Sequence, residues 1–173
     1  MKPIFLIGFT GVGKTTIGRK LAAKLNLPFV DTDIYLARKY HSSIGDMIEC
    51  CGVDKFRKRE KVILLELSQY QDVVIATGGG MASHDDNIQT MKLRGTVIYL
   101  EASPEILSER LFSVKDSRPL VAHLDEEGVR NYVDATLPLR LPYYQQAHHT
   151  VPVHQLDTPE DEDKVVEELL KLL

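Results

Sequence analysis

Residues 8–15 read Gly8-Phe-Thr-Gly-Val-Gly-Lys-Thr15, a GxxxxGK[ST] pattern. Glycines let a backbone wrap closely around a phosphate and adopt positive φ. The freed N–H groups and the start of a helix then face the anion. In this pattern Lys14 reaches the β- and γ-phosphates, and the Thr15 hydroxyl holds Mg²⁺. The competing reading, a tight glycine turn without a ligand, leaves the lysine and the threonine unexplained. A nucleoside triphosphate site is therefore expected, with Gly11, Val12, Gly13, Lys14, Thr15 and Thr16 as its contacts. The chain has no Asn-Lys-x-Asp for guanine and no Asp-x-x-Gly directly following its third apolar segment, which argues against a switch GTPase. It is also short for a P-loop motor domain. The segment Val74-Ile-Ala-Thr-Gly-Gly-Gly80 carries no acid where many P-loop ATPases place a metal-binding carboxylate, so one must come from elsewhere.

Asp31-Thr32-Asp33 is a source of that carboxylate. On an extended segment, carboxylates at i and i+2 share a face. One would support Mg²⁺, directly or through water, and the other would accept a proton from an attacking hydroxyl. The alternative is plain helix capping by Asp31 or Asp33. Phe56-Arg57-Lys58-Arg59-Glu60 reads either as a solvated basic helix face or as a place where an arginine grips a carboxylate in bidentate fashion. Gly78-Gly79-Gly80 costs backbone entropy without stabilising anything itself. Close approach of a ligand is its natural reason, and a generic turn is the alternative.

The elements that must position these groups alternate strand and helix, as in a parallel α/β sheet. Pro3–Ile7 is a fully apolar run, as expected of a central strand buried on both faces. Phe29–Asp31, Val73–Ala76, Thr96–Leu100 and, more weakly, Thr150–Val153 read as four further strands. Helices are expected at about 14–25, 32–40, 44–51, 53–69, 85–93, 104–112, 125–146 and 159–172. The last has Val166, Leu169, Leu170 and Leu173 at helical spacing. Pro138 and Pro142 should kink or break the helix at 125–146. Ser113–His123 is polar and aperiodic, a candidate mobile loop.

The chain has 173 residues, which is consistent with one domain spanning 1–173. Its net charge of −4 is unevenly placed. Residues 157–173 hold seven acids and two bases, and the other 156 residues hold 19 bases and 18 acids. The acidity thus belongs to one terminal helix, read as a solvated surface. A cationic pocket remains possible, but a broad nucleic-acid face is not expected. No apolar run is long enough to span a membrane. The N-terminus lacks the shape of a signal peptide. Adjacent Cys50 and Cys51 read as reduced thiols of a cytosolic protein. His148 and His149 read as surface or strand-start residues rather than metal ligands. Nothing suggests an extended interface, so a monomer is expected.

The phosphate loop, the Asp-x-Asp, the Phe-Arg-x-x-Glu, the Thr-Gly-Gly-Gly, Arg118-Pro119-Leu120 and Arg140-Leu-Pro-Tyr-Tyr144 occur in this order along essentially the whole chain. Their order and spacing resemble the shikimate kinase family, small P-loop kinases akin to the nucleoside-monophosphate kinases. The resemblance implies a three-layer α/β/α sandwich of the P-loop NTPase fold, with a five-stranded parallel sheet. It further implies substrate-binding helices at about 32–60 and a mobile lid at about 112–124. The activity implied is transfer of the ATP γ-phosphate to the 3-hydroxyl of shikimate, giving shikimate 3-phosphate and ADP. This is a step of chorismate and aromatic amino-acid biosynthesis, carried out with Mg²⁺. By the same resemblance Asp33 pairs with substrate hydroxyls and acts as base, while Asp31 lies near the metal with Thr15. Arg57 and Arg140 clamp the shikimate carboxylate, and Gly79 and Gly80 line its site. Lys14 and the lid cation Arg118 meet the transferring phosphate. Arg110 stacks on adenine, flanked by the loop from Gln155 to Pro159.

The chain departs from the family pattern at two positions. Ile48 stands where a phenylalanine is common, and Val53 where a glutamate is common. The first weakens apolar contact to the substrate ring, and together they leave room for an altered acceptor preference. Other readings are a gluconate or nucleoside-monophosphate kinase and a nucleotide-binding regulatory module without chemistry. Asp33, Arg57 and Arg140 suit a hydroxylated carboxylate better than a nucleotide acceptor. Intact Lys14, Thr15, Asp33 and Arg118 argue against lost chemistry. A small carboxylated polyol offers little apolar surface, so its binding has to come from charge-assisted hydrogen bonds.

Overall fold

The computed structural model describes residues 1–173 apart from the side chain of Ser117. Five strands form one parallel sheet: β1 (Ile4–Ile7), β2 (Phe29–Asp31), β3 (Val74–Ala76), β4 (Thr96–Glu101) and β5 (His149–Pro152). Their spatial order is β2-β3-β1-β4-β5. β1, the apolar run ahead of the phosphate loop, is central and fully buried. It pairs with β3 from Ile4 against Val74 and with β4 from Ile4 against Thr96. Strand β2 lies at an edge and is only half-buried. Parallel strands need crossover connections, so every site group enters from a loop at a strand's carboxyl end or from a covering helix.

Helices α1 (Lys14–Leu25), α2 (Thr32–Tyr40), α3 (Ile44–Leu67), α4 (Asn87–Arg94), α5 (Pro104–Ser113), α6 (Glu126–Tyr144) and α7 (Pro159–Leu170) complete a three-layer α/β/α sandwich. One continuous core joins β1, β3 and β4 to Ile17 and Leu21 of α1, Ile63 and Leu64 of α3, Val129 and Val133 of α6, and Val166 and Leu169 of α7. Helices α2, α3, α5, α6 and α7 begin at side-chain caps: Asp31, Ser43, Ser103, Asp125 and Thr158 each accept a main-chain N–H from the first turn.

Several sequence expectations change in detail. The helices expected at 44–51 and 53–69 meet at Gly52, whose φ of 77° and ψ of 163° interrupt α3. α3 ends at Leu67, and α4 begins at Asn87 after a short turn of 3₁₀ helix at Met81–Ser83. Pro138 and Pro142 do not break α6, which runs through both. Both prolines are exposed. The carbonyls of Asp134 and Pro138 that lose their partners therefore reach water, while Val133, Leu137 and Tyr144 anchor the opposite face. The acidic α7 is not simply a solvated surface. Its Glu162 and Asp163 pair with Lys20 of α1 at 2.8 and 3.0 Å. Its buried positions are Val165, Val166 and Leu169, whereas Leu173 is exposed. Cys50 and Cys51 are free thiols. His149 opens β5, and His148 Nδ1 accepts the Val97 N–H at 3.0 Å, extending the pairing with β4. Among the described residues no helix is long and apolar enough to cross a membrane.

Candidate active site

The phosphate loop joins buried β1 to α1, with Gly8, Gly11 and Gly13 at φ of 143°, 90° and 101°. Gly13 is also needed for space, since a Cβ there would lie 2.3 Å from Leu156 Cδ1. Lys14 is buried, and its Nζ donates to the carbonyls of Gly8 and Phe9, both at 2.8 Å. Burial brings the Lys14 pKa down to about 7; nearby Asp33 opposes that shift and Arg118 adds to it. A phosphate in the loop would supply the missing counter-charge. Val12 is fully buried and can offer only its main chain, whereas Thr16 is exposed at the rim of the nucleotide cavity.

Asp31 ends β2, and Asp33 lies one residue into α2. The expectation that both carboxylates share a face of an extended segment is corrected here, because the chain turns helical at Thr32. The capping reading of Asp31 is the one its hydrogen bonds show. Its Oδ1 caps α2 by accepting from the N–H groups of Asp33 and Ile34 at 3.0 and 3.2 Å. Its Oδ2 accepts from Thr15 Oγ1 at 2.6 Å. This hydroxyl–carboxylate pair is a hard-oxygen donor set suited to Mg²⁺, with phosphate oxygens and water as further ligands. Among the described residues no group of three or more His, Cys, Asp or Glu could hold a metal by itself.

On the other side of Asp33 lies a second cavity, with acids and arginines along one wall. Arg57 and Glu60, one turn apart on α3, form an ion pair at 2.5 Å, and the Glu60 carboxylate is almost wholly buried. Burial raises the Glu60 pKa to about 7, against the pull of Arg57. Burial also raises that of Asp33, and the negative charge of Asp31 adds to it. Asp33 is thereby a better proton acceptor than an ordinary carboxylate. Arg140 of α6 is buried with its guanidinium 5.1 Å from the Phe9 ring centroid, and Arg57 lies over Phe56 at 5.2 Å. The opposite wall is apolar and includes Ile44, Ile48, Val53, Pro119 and Leu120. Ile48 and Val53, the two departures from the family pattern, therefore both line this second cavity, the one expected to take the acceptor.

The glycine triplet lies between these groups. A Cβ on Gly78 would come within 2.6 Å of Asp33 Oδ1. One on Gly79 would meet Thr10 Oγ1 at 2.4 Å, and one on Gly80 would meet Arg57 Nη2 at 2.6 Å. The triplet thus makes room for the site's own side chains. Thr32, the unremarked centre of the Asp-x-Asp, is fully buried, and its Oγ1 accepts the Gly78 N–H at 2.8 Å. Tyr144, one turn beyond Arg140, donates its hydroxyl to the Gly79 carbonyl at 2.5 Å. Tyr132 of α6 also lines the acceptor cavity. Sequence reasoning missed Thr32, Tyr132 and Tyr144, and left Glu60 without a role. Thr32, Glu60 and Tyr144 lie inside motifs already singled out, but no sequence signal marked Tyr132.

The nucleotide and acceptor cavities share Thr10, Asp33, Gly79 and Arg118. Arg118 follows a 3₁₀ turn at Lys115–Ser117, and its carbonyl accepts from the N–H groups of Val121 and Ala122. The segment expected to act as a lid is folded into turns with Val121 buried. Pro119 lies close enough to Gly45 that a Cβ there would be 3.1 Å from its Cγ. Buried nitrogens of Arg57, Arg110 and Arg118 have no partner among the described residues, so three guanidinium groups retain capacity for anions. Arg110 lines the nucleotide cavity with Leu156 and Asp157. Gln155 is exposed and lies outside the cavity lining, so its neighbours occupy the place expected for it.

These features agree with comparisons to known proteins. A family model described as shikimate kinase matches residues 10–173. A shikimate kinase of Bacteroides fragilis is 35% identical over 170 residues, covering 98% of this chain and 95% of that protein. The crystal structure of shikimate kinase from Bacteroides thetaiotaomicron superposes with a TM-score of 0.95 at 33% identity, covering 99% of this chain and 97% of that one. Shikimate kinase from Acinetobacter baumannii in complex with shikimate gives 0.86 at 34% identity, covering 99% and 92%. With a phosphate loop, a cationic acceptor cavity and full-length similarity all in agreement, the chain belongs to the shikimate kinase family.

Proposed function

We infer that the protein transfers the γ-phosphate of ATP to the 3-hydroxyl of shikimate, giving shikimate 3-phosphate and ADP. The observation that carries this reading is the junction of two cavities at Asp33 and Arg118, one cavity lined by the phosphate loop and the other by paired acids and arginines. In this reading Arg57 and Arg140 hold the substrate carboxylate. Glu60 fixes one edge of Arg57 and leaves the rest of its fork for the ligand. Asp33 accepts the proton of the 3-hydroxyl as its oxygen attacks the γ-phosphorus. Lys14 leaves the loop carbonyls for the β- and γ-phosphates, and Arg118 neutralises charge on the transferring group. Thr15 and Asp31 would hold Mg²⁺, which supplies charge neutralisation between the phosphates. Arg110 would contact adenine, with Leu156 and Asp157 beside it. The lid covers the acceptor and keeps water from competing for the phosphate.

The same reading takes residues 1–173 as one domain working as a cytoplasmic monomer. Its test is ADP release with Mg-ATP and, separately, shikimate, quinate, gluconate and several nucleoside monophosphates. A rate that depends on shikimate is expected. Its absence, or a faster rate with gluconate or a nucleotide, would overturn the assignment.

A further inference from the structure

The glycine triplet is held at its first and middle residues by side chains from distant elements. Thr32 Oγ1 takes the Gly78 N–H at 2.8 Å, and the Tyr144 hydroxyl meets the Gly79 carbonyl at 2.5 Å. Tyr144 is fully buried, and its ring stacks on Tyr99 of β4 with centroids 5.1 Å apart. Tyr144 itself lines neither cavity, although its hydroxyl also meets Arg140, which lines the acceptor cavity. Among the described residues no peptide bond is cis. In a trans peptide the carbonyl of one residue and the N–H of the next point to opposite sides of a single rigid plane. Holding the Gly79 carbonyl on the Tyr144 side therefore turns the Gly80 N–H towards the acceptor cavity, which Gly80 lines. That N–H donates to no group among the described residues. A peptide between two glycines has no Cβ to resist rotation, so an external hold is needed to keep one orientation.

We propose that Tyr144 is a positioning residue, whose phenol locks the Gly79–Gly80 peptide so that the Gly80 N–H serves as a preset donor to the acceptor substrate. The proposal rests on the assignment of this cavity to the acceptor. Burial raises the phenol pKa to about 12, so the hydroxyl stays a donor across the working pH range.

Tyr144→Phe keeps the ring stacked on Tyr99 and removes the hydroxyl, with both its bond to the Gly79 carbonyl and its contact with Arg140, so the Gly80 amide itself has to be followed to separate the two. One neutral hydrogen bond changes an equilibrium by roughly three- to tenfold. The variant should therefore raise the shikimate KM about fivefold, with the ATP KM and kcat within about twofold of wild type and the same ratio at pH 6.5 and pH 9. A purely structural role would lower stability and disturb both substrates together. A shikimate KM within twofold of wild type, or a parallel rise in the ATP KM, overturns the proposal. If the variant does not fold, amide exchange in the wild-type protein provides the test. Shikimate should slow exchange of the Gly80 N–H and shift its proton resonance downfield, and an unaffected Gly80 amide overturns the proposal. Absence of shikimate-dependent turnover in the wild-type protein would remove the acceptor assignment itself. An active wild type with an unaltered Tyr144→Phe would remove only the positioning role.

Discussion

The phosphate loop and the acceptor cavity both prepare a place for an anion, but they are built differently. The loop draws on consecutive residues from Gly8 to Thr16, and much of its capacity is main-chain N–H aimed by positive-φ glycines. The acceptor cavity draws on Asp33 of α2, Arg57 and Glu60 of α3, the glycine triplet, Arg118 and Arg140. Its charges lie on side chains that meet only when the sheet is assembled. The loop's hold on an anion should therefore depend on few side chains beyond Lys14 and Thr15, whereas one altered charge in the cavity should show at once. Asp33 belongs to both regions, and its loss should be the costliest.

Asp33→Asn should lower kcat about 100-fold or more, within the range typical of a lost general base, while ATP binding stays within a few-fold. Single-turnover kinetics together with nucleotide titration would check this. Near-full turnover in the variant would exclude Asp33 as base and move the chemistry wholly to the nucleotide side. Next in size is Arg57→Lys, which keeps the charge and removes the fork. It should raise the shikimate KM tenfold or more and leave the ATP KM unchanged. If both constants rise together, the two regions are not separable in the way their geometry implies.

A smaller effect tests the nucleotide side. With a pKa near 7, Lys14 is mostly neutral at pH 8 in the empty protein. Phosphate oxygens favour the charged form, so ATP binding at pH 8 should take up a proton, approaching one per site. Calorimetry in two buffers of different ionisation enthalpy measures this, and heats independent of buffer would contradict it.

The smallest predicted effect contrasts the two regions in stability. Burial raises the Glu60 pKa in the folded protein to about 7 from the usual 4.5, so folding favours its neutral form. Its contribution is fully present below about pH 4.5 and is lost as pH rises through 7. Asp33 is shifted in the same direction. Lys14 has the opposite sign: its pKa falls from 10.5 to about 7, so its contribution is present at high pH and lost as pH falls through 7. Glu60→Gln removes only the first of these. The melting temperature of the variant relative to wild type should rise between pH 5 and pH 8, and a flat difference would show that Arg57 fully compensates the buried charge.

By itself the sequence determined the alternation of strands and helices, the central β1 and the phosphate loop, while the acceptor groups were named as such only through the family resemblance. The first three are legible because they are local: apolar periodicity, glycine spacing and short motifs record what neighbouring residues do to one another. The tertiary structure decided what those groups touch. It turned Asp31-Thr32-Asp33 from a strand end into a strand-to-helix corner, where the middle threonine pins Gly78 and one aspartate oxygen meets Thr15. It carried α6 through two prolines because their rings face solvent while Arg140 and Tyr144 face inward. It set each glycine of the triplet against a side chain from a different part of the fold, and it exchanged Gln155 for Leu156 and Asp157 at the nucleotide cavity. Such contacts join residues far apart in the chain, so their geometry depends on the sheet order and on helix packing, which no local pattern records.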